Sequence, residues 1–580
     1  MINTNRNNFT SIGLLTSQVL LGAICLVNLF VIITYLFHKE LSPYLFPAAI
    51  IVDVSLNFLL AGKLGIDKRL LLIATVFSVL LLVVSLIVAA WYFDLSWDGQ
   101  WYQQAAVYNL AENWNPIFRS LATPDKINNS SILYFPKNSW FFGAAVLRLF
   151  GNVETGKAYN VIVLFAAFGT VYSLCRDFKM QVWRTVLFTA LVLLNPVVWS
   201  ELTTYLNDGD LYLFLVIYLG SIISWMRNPK PTFILIGMMA AICLVNIKFT
   251  GLVFFLVSSL FIFIYILIKQ RTRIKPFLLS HLLTGVIALF IFGFNPYVTN
   301  MLNRGNPLYP ILGSKQFPSV FANGSDDNEA YETPKNMMGK SLPVRLMYAN
   351  FSSPGNAPYN GEDSAKLAFP LTNNFKSWKA YDYHETRVSG FGPYFGILIV
   401  LLFAILPIFL ISVKEFRLPG LVFFVGLCCC LSLSKHFWWP RFFPMLWLAP
   451  LYPLFLLWTG HTQNLIRQKG RRWSKTVSIY GWLLAAIIGV NGFIVAVVHI
   501  QWETVSSVSL RTQLEHIRDG KRPIEVDYGW FKRSMEGKLN HWGIKYTPGS
   551  LKASDTGVHM LTSVVEGYPN QVLYRPKTNK

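Results

Sequence analysis

Two acidic clusters stand at the edges of long apolar runs: Asp94 and Asp98 in DLSWDGQWY, and Asp208 and Asp210 in YLNDGDLY. A carboxylate at a membrane boundary is costly, so it marks a functional site before it marks a folding element. An ionised Asp near neutral pH can take the proton of an attacking hydroxyl as a general base. If the group leaving a sugar is a lipid phosphate, it departs as a stable anion, needs no general acid and is stabilised by cations. Candidate cations are Lys248 in VNIKFTGL, Arg387 in HETRVSGFGPYFG and Arg441 in KHFWWPRFFP.

Each of these residues also has a plainer reading. Asp94 and Asp98 are spaced i, i+4 and share a face if the segment is locally helical. Trp97, Trp101 and Tyr102, interleaved with them, suit sugar stacking or an interfacial aromatic belt. Asp208 and Asp210 open an apolar helix, where capping and the helix dipole also favour acids. Lys248 interrupts two apolar runs and serves either a phosphate or a snorkelling ammonium. Arg387 and Arg441 suit bidentate phosphate recognition or structural anchoring. Asp53, inside a predicted span with Ser55 and Asn57 nearby, marks an ion path or a helix contact. His384, His436 and His499 lack the short paired spacing of a metal site. Asn129, Asn323 and Asn350 head N-x-S/T triplets, which matter only in a eukaryotic secretory protein.

The elements that position these residues follow from composition. The 580-residue chain is 53% hydrophobic and only 14% charged, with a mean hydropathy of +0.43, which excludes an ordinary soluble protein and implies many membrane spans. Its net charge of +21 lies mostly in short gaps between apolar runs rather than in one patch, so nucleic acid is not an expected partner. The six cysteines sit in or beside apolar segments without loop metal spacing, so no disulfide framework is expected. The first apolar run is span-length and lacks a small-residue cleavage site, which reads as a retained helix.

About thirteen runs are long enough to cross a bilayer: 13–36, 43–62, 70–91, 158–175, 184–200, 210–226, 231–247, 250–268, 278–294, 391–413, 419–435, 442–459 and 477–499. Alternating them puts every basic short loop on one side: Lys63, Lys68 and Arg69; Arg176, Lys179 and Arg184; Arg227 and Lys230; Lys269, Arg271, Arg273 and Lys275; Lys414 and Arg417; Arg467, Lys469, Arg471, Arg472 and Lys475. The positive-inside rule makes that side, and the N-terminus, cytoplasmic. Large external segments are then 93–157, 295–390 and 500–580. In the first, SWFFGAAVLRLF is too short to span and is expected to lie along the interface. The second, with NRGNPLYP and FSSPGNAPYNGED, reads as an ordered-loop region. In the third, SLRTQLEHIRDG and WFKRSMEGKLNHWG read as helices and RPIEVDYG, HMLTSVV and QVLYR as strands.

The expected fold class is therefore an all-α polytopic membrane protein with about thirteen transmembrane helices, large external loops and a small external C-terminal α/β module. Its domains are 1–69, two extra N-terminal transmembrane helices; 70–499, the transmembrane core; and 500–580, the α/β module.

The order of motifs resembles the GT-C superfamily of polytopic glycosyltransferases, which includes protein O-mannosyltransferases and lipid A aminoarabinose transferases. The matching elements, over roughly residues 70 to 460, are SWDGQWY, NDGDLYLF, KFTGL, GNPLYP, RVSGFGPYFG and WPRFFP. The resemblance implies a polyprenyl-phosphate sugar donor, inverting transfer at the external face, and a glycan, lipid or protein acceptor. It implies Asp98 as the base, Asp208 as the second acid, Lys248 and Arg441 as phosphate ligands, and in some members a divalent cation at the acidic pair. Two helices precede the one leading into the acidic loop, and Asp94 precedes the matching acid, which are departures from the family pattern. The alternatives are a lipid-linked glycan polymerase or ligase, and a transporter or flippase. Repeated halves and broken mid-membrane helices, typical of transporters, are not seen in the sequence. The expected location is the bacterial inner membrane, since the tail carries no endoplasmic reticulum retention signal.

Overall fold

The computed structural model describes residues 2–112, 114–118, 131–320, 333–355, 364–369, 375–412, 417–468, 471–562 and 571–577. Asn129, Asn323, Lys414 and Lys469 lie outside the described residues, as does part of FSSPGNAPYNGED.

Chain order begins with α1 (Ile2–Leu36), α2 (Leu45–Leu64), α3 (Lys68–Trp91), α4 (Gln104–Ala111), α5 (Asn138–Phe150), α6 (Ala158–Asp177) and α7 (Val182–Leu193). It continues with α8 (Pro196–Glu201), α9 (Asp208–Arg227), α10 (Pro231–Ile247), α11 (Phe249–Lys269) and α12 (Ile274–Val286). The last helices are α13 (Phe395–Ser412), α14 (Arg417–Leu431), α15 (Leu448–Trp458), α16 (Arg471–Asp519) and α17 (Lys532–His541). Among the described residues, eight helices are long and apolar enough to cross a membrane: Thr10–Leu36, α2, α3, Val153–Asp177, α9, α11, Arg271–Phe292 and Lys475–Asp519. α7, α10, α14 and the Phe395–Ala404 part of α13 are apolar but shorter, as is Pro444–Trp458, which contains α15. The lateral surface has the character of a lipid-facing one, since α3 exposes Leu72, Ile73, Val76, Phe77, Leu80, Val83 and Ile87 along its length. α1 packs against α2, α3, α6 and α10, so it is built into the bundle rather than appended to it.

Local chemistry sets the breaks. Asp67 caps α3 by accepting from the Arg69 amide at 2.7 Å. The 184–200 run is not one helix: Asn195 accepts from the Val197 amide at 3.0 Å, and Pro196, lacking an N–H, occupies the first turn of α8 rather than continuing α7. α10 and α11 are joined through Lys248 alone, whose extended backbone ends one helix and starts the next. Three of the basic helix ends meet at one end of the bundle. There Arg227 donates to the Asp177 carbonyl and Arg273 to that of Trp225.

Three expectations change. SWFFGAAVLRLF, too short to span, is enclosed by protein rather than bare: Asn138–Leu147 of α5 are all buried, packed against α1 and α4. The boundary at 500 is not a chain break, because the last apolar run and SLRTQLEHIRDG form the single 49-residue α16. Beyond it the sheet has order β2-β1-β4-β3, with β1 Ile524–Asp527, β2 Tyr546–Pro548, β3 His559–Met560 and β4 Leu573–Pro576. β2 has no counterpart among the strands expected from sequence, and β3 covers the first two residues of HMLTSVV, whose last three lie outside the described residues.

The C-terminal unit is docked on the first loop through buried contacts. Lys538 on α17 lies 3.6 Å from Glu154 and donates to the Gln100 side chain at 3.3 Å. Ser534 donates to Gln104. Among the described residues of 295–390 the helices are short, such as Thr299–Arg304 and Leu342–Asn350, and Asn350 is buried.

Candidate active site

Five segments remote in sequence meet around Arg441 at the end of the bundle opposite the basic helix ends. Arg441 Nη2 lies 2.5 Å from Asp98, Nε 2.8 Å from Asp208 and Nη1 2.6 Å from Glu385. Glu201 stands 4.0 Å from Nε. Lys248 Nζ contacts the other oxygen of Asp208 at 2.5 Å, and its ammonium sits 5.3 Å above the Phe442 ring. Burial opposes the Arg441 charge, but Glu385, Asp98 and Asp208 outweigh it and hold the guanidinium protonated.

The backbone explains this convergence. Asp98 immediately precedes a π-helical turn, Gly99–Gln103. A Cβ at Gly99 would meet the Asp94 carboxylate at 2.1 Å, so only glycine permits the Asp98–Gly99 step to fold against that acid. A Cβ at Gly209 would meet Val198 Cα at 2.9 Å, so the glycine between Asp208 and Asp210 lets α9 start hard against α8. Neither acid caps the helix through a side-chain bond at the N-cap position. Glu201 does that work, accepting from the Gly209 amide at 2.7 Å, which leaves Asp208 for the two cations.

Asp94 does not share a face with Asp98, because residues 93–96 are not helical. Its buried carboxylate accepts from Ser96 N at 2.9 Å and Tyr205 N at 2.8 Å, so it ties the first loop to the start of α9. Asp210 is buried outside the Arg441 cluster, with Oδ2 lacking a hydrogen-bond partner. Trp97 packs 5.1 Å from Phe531 and Trp101 5.8 Å from Trp530, so both face the C-terminal unit and hold it in place. Tyr102 stays with the ion cluster. Burial, then the Asp98 carboxylate, push its phenol well above the ordinary range, so it remains a neutral hydroxyl. Arg387 stacks 4.9 Å from the Trp439 ring, on which Arg441 also lies at 5.9 Å.

No family model, curated protein or solved structure matches this chain. The geometry therefore carries the functional argument.

All three nitrogens of Arg441 face carboxylates, which is the arrangement of a charge hub rather than of a waiting phosphate fork. Lys248 is the more open cation, with 30% of its side chain exposed. Among the carboxylates, Asp98 is 22% exposed, against 8% for Glu385, 2% for Glu201 and 1% for Asp208. A divalent cation between Asp98 and Asp208 would fall where the guanidinium sits, so this acidic pair does not fit one. Glu201 and Glu385 were not singled out from sequence. Glu385 lies next to a histidine in an irregular loop, and Glu201 at the end of an apolar run, so neither had a spacing signal.

The cluster places four carboxylates around two directly bonded cations, a surplus that raises the cost of ionising the most buried acids. Glu385 is pushed up to about 7, by burial and by Asp98, despite the opposing pull of Arg441. A carboxyl raised in the folded state holds its proton where the unfolded chain has lost it. Its contribution to stability is thus full below the unfolded value and falls as pH rises towards about 7. Melting temperatures from pH 5 to 8 should therefore decline in the wild type, and this decline should flatten in Glu385→Gln. An unchanged slope in the variant would remove Glu385 as its source.

Proposed function

We propose that this protein is an integral membrane glycosyltransferase that moves a sugar from a polyprenyl-phosphate donor to an envelope glycan, lipid or protein acceptor. The observation that carries the reading is the meeting of Asp98, Asp208, Lys248 and Arg441 at one end of the bundle. A mostly apolar cavity of about 490 Å³ runs through the bundle from Leu215, Phe254 and Met445 on the side of that end to Arg227 and Gln270 at the opposite, basic end. Leu215 is seven residues below Asp208 on α9, about 10 Å at the helical rise, so an isoprenoid tail in the cavity would present its phosphate near Lys248. Concave, apolar sites with a few convergent polar groups are the usual form of a ligand pocket.

In this reading the acceptor hydroxyl enters beside Asp98, the most exposed acid of the cluster. Its oxygen attacks the anomeric carbon while Asp98 accepts the proton. The carbon–oxygen bond to phosphate breaks, the electron pair leaves with polyprenyl phosphate, and the anomeric configuration inverts. Lys248 stabilises the leaving phosphate, and Arg441 fixes Asp98, Asp208 and Glu385 in place. About thirteen spans, a cytoplasmic N-terminus, and a site and C-terminal unit on the external side of a bacterial inner membrane complete the proposal.

Proteoliposomes holding the purified chain should transfer labelled sugar from some member of a panel of polyprenyl-phosphate monosaccharides to an envelope extract. Transfer only from lipid-linked oligosaccharides would make the protein a polymerase or ligase. Turnover of neither class would end the reading.

A further inference from the structure

His384, His499 and Glu503 form a second polar cluster, separate from the Arg441 hub. All three are buried, and their ligand atoms lie within 4.8 Å of one another. His499 and Glu503 are one turn apart on α16, an i, i+4 spacing that places both on one face. His384 comes from the loop before α13. Its Nε2 lies 3.2 Å from a Glu503 oxygen, yet neither ring nitrogen of His384, neither of His499, nor Glu503 Oε2 makes a hydrogen bond. The backbone of Tyr381 and Asp382 passes close to the His499 ring without bonding geometry at either nitrogen. Thr203 donates to the other Glu503 oxygen at 3.3 Å.

His384 Nδ1 and both ring nitrogens of His499 have no hydrogen-bond partner, and the His384–Glu503 contact falls short of hydrogen-bond geometry; an unsatisfied buried polar atom costs about 1–3 kcal/mol. A metal ion held by one nitrogen of each ring and by a Glu503 oxygen would satisfy one atom of each residue. We propose that His384, His499 and Glu503 bind a divalent metal of the zinc class. Two imidazoles and one carboxylate are the donor set of three-ligand zinc sites, with a fourth position for water. The imidazole nitrogens favour zinc and its first-row neighbours over magnesium or calcium. Ligand atoms around tetrahedral zinc stand about 3.3 Å apart. The His384–Glu503 pair is already at that spacing, so small side-chain rotations complete the set.

Residue 384 adjoins Glu385. The metal would therefore tie the loop that carries Glu385 against Arg441 to α16, and through α16 to the C-terminal unit. The site stands whether or not sugar transfer is the reaction, because its test reads metal and not turnover.

The full-length protein, purified in detergent from cells grown with added zinc, should carry about one zinc per chain by elemental mass spectrometry. His499→Ala and Glu503→Gln should retain below roughly a fifth of it, on the usual weight of a lost ligand. Cys428→Ser/Cys429→Ser/Cys430→Ser, which removes the one run of consecutive cysteines in the sequence, should keep it. Should the ligand variants not fold, cobalt-grown wild type gives the second readout: visible d–d bands without the near-ultraviolet band of a thiolate ligand. Metal-free wild type, full metal in a folded ligand variant, loss in the cysteine variant alone, or a thiolate band would each overturn the assignment.

Discussion

Arg441→Met should be the most destabilising single change near the site. It removes the cation bonded to Asp98, Asp208 and Glu385 and leaves these acids, with Glu201 behind them, facing each other. Breaking a buried ion pair by deleting one partner typically costs about 3–5 kcal/mol, because the remaining charge is uncompensated. The melting temperature in detergent, followed by the monodisperse peak in size exclusion, should fall by several degrees. Arg441→Lys should fall less, since an ammonium keeps the charge but not the three-way fork. The electrostatic origin is separable from lost packing: Arg441→Met/Glu385→Gln should melt above Arg441→Met alone. If the double variant melts no higher, repulsion among the acids is not what Arg441 relieves.

Asp98→Asn should behave in the opposite way, abolishing chemistry with little effect on the fold. Asparagine is isosteric and can still accept from Arg441, while Asp98 is the most exposed acid of the cluster. General bases contribute about 10²- to 10⁴-fold, so kcat should fall by that range while donor lipid still binds. A rate within a few-fold of wild type would remove Asp98 from the reaction. Asp208→Asn should differ from both, because Asp208 is buried and holds two cations at once; losses in stability and in transfer are expected together.

How far the sequence disclosed this depended on whether the signal was periodic or spatial. Long apolar runs are chain-local, and the helices follow them closely, apart from the Asn195–Pro196 break and the continuation of α16 to Asp519. The opposition of basic ends and acidic site followed from alternating those runs, and the contacts of Arg227 and Arg273 at one end agree with it. Asp98, Asp208, Lys248 and Arg441 were legible because charge at an apolar boundary is rare in any membrane chain. Their pairing was not: the contacts of Arg441 with Asp98, Asp208 and Glu385 join segments far apart in the sequence. Asp94 looked equivalent to Asp98 only on the assumption of a local helix. Of its real partners, Ser96 is two residues away, while Tyr205 lies 111 residues away in a contact that no local pattern encodes. Trp97 and Trp101 were read as sugar or lipid contacts because nothing in their neighbourhood announces Trp530 and Phe531. The His384, His499 and Glu503 group escaped for the same reason. His499 and Glu503 have the spacing of one helical turn, but their third member lies 115 residues earlier in a loop.

The central claim concerns which bond breaks, and a doubly labelled donor reads that directly. Polyprenyl phosphate carrying ³²P and a ¹⁴C sugar, presented to proteoliposomes with envelope acceptors, should lose its ¹⁴C to the acceptor while ³²P stays in the lipid, in equal amounts. Movement of both labels together, whether across the membrane unchanged or onto the acceptor as a sugar phosphate, would contradict the account.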